Sequence, residues 1–489
     1  MVQDQTAVNK ALRTIFTALL IDILAFTIIL PLFPRILNYY HTTDGTDESS
    51  FYYAGLVLVR RFRDAIGGSG SRLDIVLFGG FIGSLFSLLQ FVASPFIGAL
   101  SDRYGRRNIL LLSMIGNALS MLLWIFSKSF FLFVLSRVVG GLTEGNVQMS
   151  IAMISDITTP ETRSRGLALV GIAFSLGFTV GPPIGAYFAS IDLLEKLPFL
   201  AQYGINSFSS PAIFALFLII IETAYMAAAL PETLHFKKSG ATTSSPKVNE
   251  KSAATLAAIT TADTAASKKQ IASAESRLNL LALFHFLFLF FFSGMEFTLT
   301  FLTYDRFGFT NAQQGKYLAF LGVLSALVQG GYVRRFAHKK VTEKAIVVQG
   351  MASCAIGLFI IGVFARGNET GQIWLWIGAA FLAFTSGTVV TTLTSLASLA
   401  ISGKKIVNEH DETAAKNLSA NQGKMLGKFR SMGQLGRSMG PLAACSTYWV
   451  LGSPVSYGTG SAAIAVLTVA MIIAVPDSGV AITKKTKKE

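Results

Sequence analysis

Apolar runs of about 20 residues recur along the whole chain, and nothing else in the sequence constrains its fold as tightly. A helix rising ~1.5 Å per residue needs about 20 residues to cross ~30 Å of hydrocarbon. Twelve such runs are predicted, over residues 13–36, 74–100, 108–127, 129–154, 166–190, 210–230, 278–303, 314–333, 344–365, 372–401, 426–450 and 458–476. In lipid every backbone polar group must be satisfied within its own segment, so each run reads as a helix. Composition agrees: 52% of the 489 residues are apolar and 14% charged, where soluble domains carry about 25% charged residues. The expected fold class is an all-α membrane protein.

The net charge of +14, from 41 Lys and Arg against 27 Asp and Glu, would suit a nucleic-acid binder if it were concentrated on one soluble face. Instead the basic residues gather on the N-terminal tail, on alternate loops and on the C-terminal tail, the pattern that orients multi-pass proteins. Both termini are expected in the cytosol, and the basic excess reads as topology and contact with anionic lipid headgroups, with no nucleic-acid partner. The two cysteines, Cys354 and Cys445, lie in apolar runs and make no disulfide framework. The N-terminus "MVQDQTAVNKALR" runs into the first span without a small-residue cleavage site, so no cleavable leader is expected there.

Two segments interrupt the apolar pattern. Residues 231–276, rich in Ala, Thr, Ser and Lys, are expected to be a flexible cytosolic linker between a six-helix half at 1–230 and a second half at 277–489 that ends in a basic cytosolic tail. Residues 38–73 form a long outer loop whose "AGLVLVRRFRDAIG" reads either as an interfacial amphipathic helix or as a variable surface loop. Internal repetition supports two halves. "GFTVGPP" at 177–183 and "GRSMGPL" at 436–442 share G-x-x-x-G-P in the fifth span of each half. "GALSDRYGRR" at 98–107 has a worn counterpart in "GGYVRRFAHK" at 330–339, with Arg334 where the first copy has Asp102. Paired parallel halves of six helices describe a large group of secondary transporters.

The loop between spans two and three carries Gly98, Asp102, Arg103, Gly105, Arg106 and Arg107. Gly98 permits close helix approach and Gly105 a tight turn. Asp102 can pair with an arginine near a helix terminus, a charge latch able to hold one conformation; an ordinary basic loop would also contain these residues. This run resembles the loop signature of the major facilitator superfamily. Asp22 with Pro31 and Pro34 in span one, Arg137 and Gly141 in span four, and Gly177, Gly181, Pro182 and Gly185 in span five follow in the same order. The last group is similar to the signature of drug:proton exchangers. "RVVGGLTEGNVQMSIAMISDI" and "FLFFFSGMEFTLTFLTYDRFGFT" resemble the superfamily's tetracycline-transporter-like branch. The resemblance implies alternating-access transport of organic anions or drugs by two rocking bundles, with proton coupling.

Charges inside the spans are the candidate chemistry, because each costs about 3 kcal/mol at a helix centre and is functional by default. Asp22 lies about 15 Å from the inner end of its span and Arg137 about 12 Å from the outer end of its own. In a core ~30 Å thick these depths nearly coincide. Arg137 is therefore the expected partner of Asp22, as a proton-coupling pair or as an inert structural one; the resemblance favours coupling. Glu144 is expected two turns beyond Arg137 on the same helix face, with Glu222 in span six, Glu296 in the outer part of span seven and Arg437 in span eleven. The three glutamates are open as second proton sites, substrate anchors or partners of Arg437, and Glu222 also as an edge residue near the inner headgroups. Gly177, Gly181, Pro182 and Gly185, with Gly436, Gly440 and Pro441, would make helix seals and pivots or simply pack helices.

The Thr/Ser stripe at 385–398 either lines a pathway or back-bonds to its own helix. His285 reads as a packing residue, and the Asn368 sequon sits in a very short outer loop. No phosphate-binding loop, metal-ligand cluster or nucleophile elbow occurs, so an enzyme or ATP-driven pump, a cofactor and a metal are not expected. The expected function is proton-coupled export of amphipathic organic ions, by a monomer whose partners are a small-molecule substrate, protons and the bilayer. An uncoupled or symporting metabolite carrier and a non-transporting receptor are the competing classes; buried charges, useless to a scaffold, speak against the second.

Overall fold

The computed structural model describes residues 5–29, 32–67, 71–189, 191, 193–206, 208–233, 253–309, 311–337, 341–402 and 422–476. No strand occurs among them. The first half contains α1 (Gln5–Thr27), α2 (Phe33–Asp44), α3 (Phe51–Ala65), α4 (Ser71–Tyr104), α5 (Arg106–Ile125), α6 (Phe130–Thr143), α7 (Asn146–Ile157), α8 (Pro160–Ala189), the short α9 (Leu193–Lys196) and α10 (Ser209–Ala229). The second contains α11 (Ala253–Phe307), α12 (Asn311–Leu327) continuing as a π-helix over Val328–Ala337, α13 (Glu343–Phe364), α14 (Glu369–Ser402), α15 (Gln422–Leu451) and α16 (Ser453–Ala474).

Among the described residues, ten helical segments are long and apolar enough to cross a membrane, α6 and α7 together forming one of them. Two more helices, α1 with 23 residues and α15 with 30, occupy the places of the first and eleventh expected spans. Length suffices in both; charged residues such as Asp22 in α1 and Arg430 and Arg437 in α15 lower their apolarity. Large apolar side chains such as Phe96, Leu112, Val466 and Ile473 point outward, which lipid as a solvent permits.

Three expectations are corrected here. The first span, predicted over 13–36, starts at Gln5 and its helix stops at Thr27, resuming as α2 at Phe33. Pro34 stands in the first turn of α2, where a proline's missing amide hydrogen costs nothing and its fixed φ suits a helix start; residues 30 and 31 lie outside the described residues. The linker expected over 231–276 is helical from Ala253 onward, consistent with its alanines, the strongest helix formers; 234–252 lie outside the described residues. In the outer loop, α3 lies against α4 and α6 and buries Tyr52, Leu56 and Val59, so it is a packed cap and not a free surface loop.

The glycine-proline runs pack the halves alike. A Cβ at Gly177, Gly181 or Gly185 of α8 would run into Ile23, Thr27 or the Ile28 carbonyl, so α8 lies flush on the first span. A Cβ at Gly436 or Gly440 of α15 would meet the carbonyls of Phe286 or Phe290 in α11 in the same way. Fifth helix on first helix thus recurs, with Pro182, Pro183 and Pro441 inside the fifth helices. Between halves, α4 packs on α15, and α8 on α12 and α14.

Candidate functional site

At the end predicted to face the cytosol, the loop signature closes on the opposite half. Gly105 takes φ 97°, a conformation open chiefly to glycine, and turns α4 into α5. The Arg106 side chain is fully buried, its guanidinium 2.7 Å from Asp102 Oδ1 and 3.0 Å from Asp156 Oδ2. Asp102 also accepts the amide hydrogens of Gly423 (2.9 Å) and Lys424 (2.8 Å), orphan donors of the first turn of α15. Gly98 makes this possible, since a Cβ there would strike the Gly423 carbonyl. A second tie joins the same ends: Ser398 Oγ of α14 bonds Ser155 Oγ of α7 at 3.0 Å. Among the described residues, Arg103 and Arg107 pair with no carboxylate. Arg103 lies over the Tyr104 ring, and Arg107 bonds the Ala227 carbonyl.

Glu232, just beyond span six, accepts the backbone amides of Arg106 (3.1 Å) and Arg107 (3.2 Å) and so caps α5. Glu232→Gln keeps the shape and loses the charge at the positive helix end, a cost of about 1 kcal/mol. The expected readout is a fall of about 1–2 °C in the unfolding temperature of the detergent-purified protein; an unchanged temperature would show that the cap contributes nothing.

Deeper in the halves lie the charges. Asp22 is 5% exposed and accepts 2.6 Å from Asn146 Nδ2. Span four is broken between α6 and α7: Glu144 is extended (φ −65°, ψ 93°), and its carboxylate accepts 3.0 Å from Asn117 Nδ2. Two expectations fail at this break. Glu144 does not continue the helical face of Arg137, and Arg137 does not pair with Asp22. The Arg137 guanidinium sits over Trp124, 5.4 Å from the ring centroid, and near Ser136 and Ser120 (3.3 and 3.5 Å). Depth is only one coordinate of a helical residue; the direction around the axis turns Arg137 toward α5, and the residue facing Asp22 is Asn146, past the break.

The counter-charge comes from the other half. Arg430 of α15 lies within electrostatic reach of both Asp22 and Glu144, and these two reach one another. Glu222 of α10 is 1% exposed, makes no hydrogen bond among the described residues and is in reach of Asp22 and Glu144, so it is not an edge residue at the headgroups. Glu296 of α11 is in reach of Arg437. His285 stacks on Phe429 at 4.4 Å between centroids, and Thr385, Thr388 and Thr394 back-bond to carbonyls of α14.

Arg430, Asn146, Asn117, Asp156 and Glu232 escaped the sequence reading. The seven-residue spacing of Arg430 and Arg437, two turns of one helix, was the available signal for the first. For Asn146 it was the Glu144–Gly145 dipeptide, a helix-breaking pair inside an apolar run.

The fold has known counterparts. The chain is 37% identical over 468 residues to "Major facilitator superfamily domain-containing protein 10" of Mus musculus, covering 93% of this chain and 90% of that protein. It is 24% identical over 371 residues to the class C tetracycline resistance protein of Escherichia coli, covering 76% and 79%. The crystal structure of the human organic anion transporter MFSD10 (TETRAN) superposes with a TM-score of 0.75 at 32% identity, covering 96% of this chain and all of that one. The proton:xylose symporter XylE shares the fold, with a TM-score of 0.63 at 13% identity and 97% coverage of both chains. The Major Facilitator Superfamily model matches residues 15–441. The chain is a multi-pass, non-enzymatic membrane transporter with two six-helix halves, and it belongs to the major facilitator superfamily.

Proposed function

We propose that this transporter couples proton movement to the export of amphipathic organic ions by alternating access. One arrangement carries the reading: Asp22, a buried carboxylate of the first half, shares the field of Arg430 from the second. While the halves stand as described, Arg430 offsets the cost of that charge. When they part, the carboxylate loses its offset, and a proton removes the cost instead. Proton occupancy and the arrangement of the halves are then linked. Glu144 and Glu222 extend the acidic side of the site, and Glu296 and Arg437 line its other side.

Asp102, Arg106, Gly98 and Gly105 act as the inner latch, Arg103 and Arg107 as its basic flank, and the runs Gly177–Gly185 and Gly436–Pro441 as the flush contacts of fifth helix on first about which each half bends. The name of the human relative, an organic anion transporter, supports organic ions as substrates, and the likeness to tetracycline resistance proteins fits a drug-sized one. The charge distribution supports cytosolic termini, and the chain works as a monomer. The test is transport of a fluorescent organic ion by membrane vesicles with an imposed pH gradient. Accumulation should collapse with a protonophore; accumulation unchanged by it overturns the reading.

A further inference from the structure

The two copies of the loop signature carry opposite charges at one position, Asp102 in the first and Arg334 in the second. In the first copy the acid closes the seam between the halves, because Asp102 of α4 accepts the amides of Gly423 and Lys424 at the head of α15. The matching seam lies between α8 and the π-helix over Val328–Ala337, where Val333 packs with Ala168. In the register that aligns Gly177 with Gly436, Arg165 of α8 takes the place of Lys424. Arg334 is within electrostatic reach of both Arg165 and Arg335, so this seam sets cation against cation. Among the described residues, none of these three arginines has a hydrogen bond or an ion pair. Arg163, also on α8, takes no part, since it donates to the carbonyls of Ser155, Thr158 and Ser398.

The second seam is also the looser one. A Cβ at Gly98 would strike the Gly423 carbonyl, whereas one at the matching Gly330 would meet Ile172 Cδ1 at an ordinary 3.8 Å. Gly331 has open space beside it. Arg334 and Arg335 ride on ten residues of π-helix, a form that is rare and concentrated at functional sites. Space beside three unmet guanidiniums suits a phosphate, whose oxygens match their forked donors. Depth decides the source of that phosphate. The apolar stretch Gln313–Arg335 ends at these arginines, which places them among the inner headgroups. Val323 and Leu327 of the same span point outward and offer a surface to acyl chains.

We propose that Arg165, Arg334 and Arg335 bind the phosphate of an anionic phospholipid of the inner leaflet, which joins the two halves where the repeat has no acid. Arg165 belongs to the first half and the other two to the second, so a phosphate held by all three bridges the seam. The lipid does for α8 and the π-helix what Asp102 does for α4 and α15. When the halves part at this end, the phosphate loses one side of its site, so the lipid favours the inner-closed arrangement. This rests on halves that part at the inner end, and on neither a coupled proton nor a direction of transport.

The experiment uses the full-length protein in nanodiscs, with nitroxide labels on Thr162→Cys of α8 and Ser276→Cys of α11, both exposed at the inner end. Distances between the labels are measured by pulsed electron resonance in phosphatidylcholine alone, with added phosphatidic acid, and with inorganic phosphate in the buffer. Phosphatidic acid should raise the ratio of short to long distances about fivefold or more, and inorganic phosphate should not. Arg334→Gln, and the more exposed Arg335→Gln as a second variant, should lose most of that response. Arg334→Asp, which copies the first half, should be closed in phosphatidylcholine alone and indifferent to the acidic lipid. Wild type indifferent to phosphatidic acid, Arg334→Gln responding like wild type, Arg334→Asp still needing the lipid, or inorganic phosphate acting as strongly each overturns the assignment. If the distances ignore phosphatidic acid while vesicle transport follows the pH gradient, the lipid site fails and the proposed function stands. If the lipid closes the inner end while transport ignores the gradient, the lipid site stands and the coupling fails.

Discussion

Asp22→Asn should still equilibrate substrate across a membrane but should lose accumulation driven by a pH gradient. The substitution is nearly isosteric, and its amide oxygen can still accept from Asn146 Nδ2, which lies 2.6 Å from the native carboxylate. What disappears is the carboxylate that the proposed function makes the proton carrier and that feels Arg430. One coupled proton moving down one pH unit supplies about 1.4 kcal/mol, enough for roughly tenfold accumulation. The variant should reach an inside-to-outside ratio of about 1 under the same gradient, with substrate counterflow intact. Vesicles measured in both modes check this: tenfold accumulation retained by the variant would remove Asp22 from the coupling mechanism, and loss of both modes would mark it as structural.

Arg106→Ala is expected to be the most damaging single change to stability. The guanidinium is completely buried between Asp102 and Asp156, and Ser101 Oγ accepts from it at 2.6 Å. Truncation leaves two carboxylates facing each other with nothing between them. Removing one partner of a buried ion pair typically costs about 3–5 kcal/mol, because the survivor stays buried and uncompensated. Arg106→Lys should recover only part, since an ammonium cannot reach two acids with the planar fork of a guanidinium. Adding Asp156→Asn to Arg106→Ala should restore some stability by removing one of the stranded charges. The yield of monodisperse protein after solubilisation, and its unfolding temperature, are the readouts; a wild-type temperature for Arg106→Ala would refute the account.

The contrast between Asp22 and Arg137 shows what could be read ahead of the fold. Hydropathy located the spans, because length and apolarity are one-dimensional properties, and the repeated G-x-x-x-G-P runs announced close helix contacts that recur in both halves. The depth of Asp22 and Arg137 was also one-dimensional; their pairing needed the direction around two helix axes, which composition does not encode. The break at Glu144 shifted that direction again. Arg430 was hidden by a different effect: the opening turns of α15 are so polar that an arginine there looks like the edge of a span. Asp156 and Glu232 belong to the latch only because distant segments converge on α5, a tertiary fact with no local trace.

Asp102 grips α15 through main-chain amides at 423 and 424, and this has an evolutionary consequence. Such a grip is indifferent to the side chain at 424, so that position can drift freely between lineages without loosening the closure. Insertion or deletion of one residue at the head of α15 would instead carry the amides out of reach, so this junction should tolerate replacement far better than a change of length.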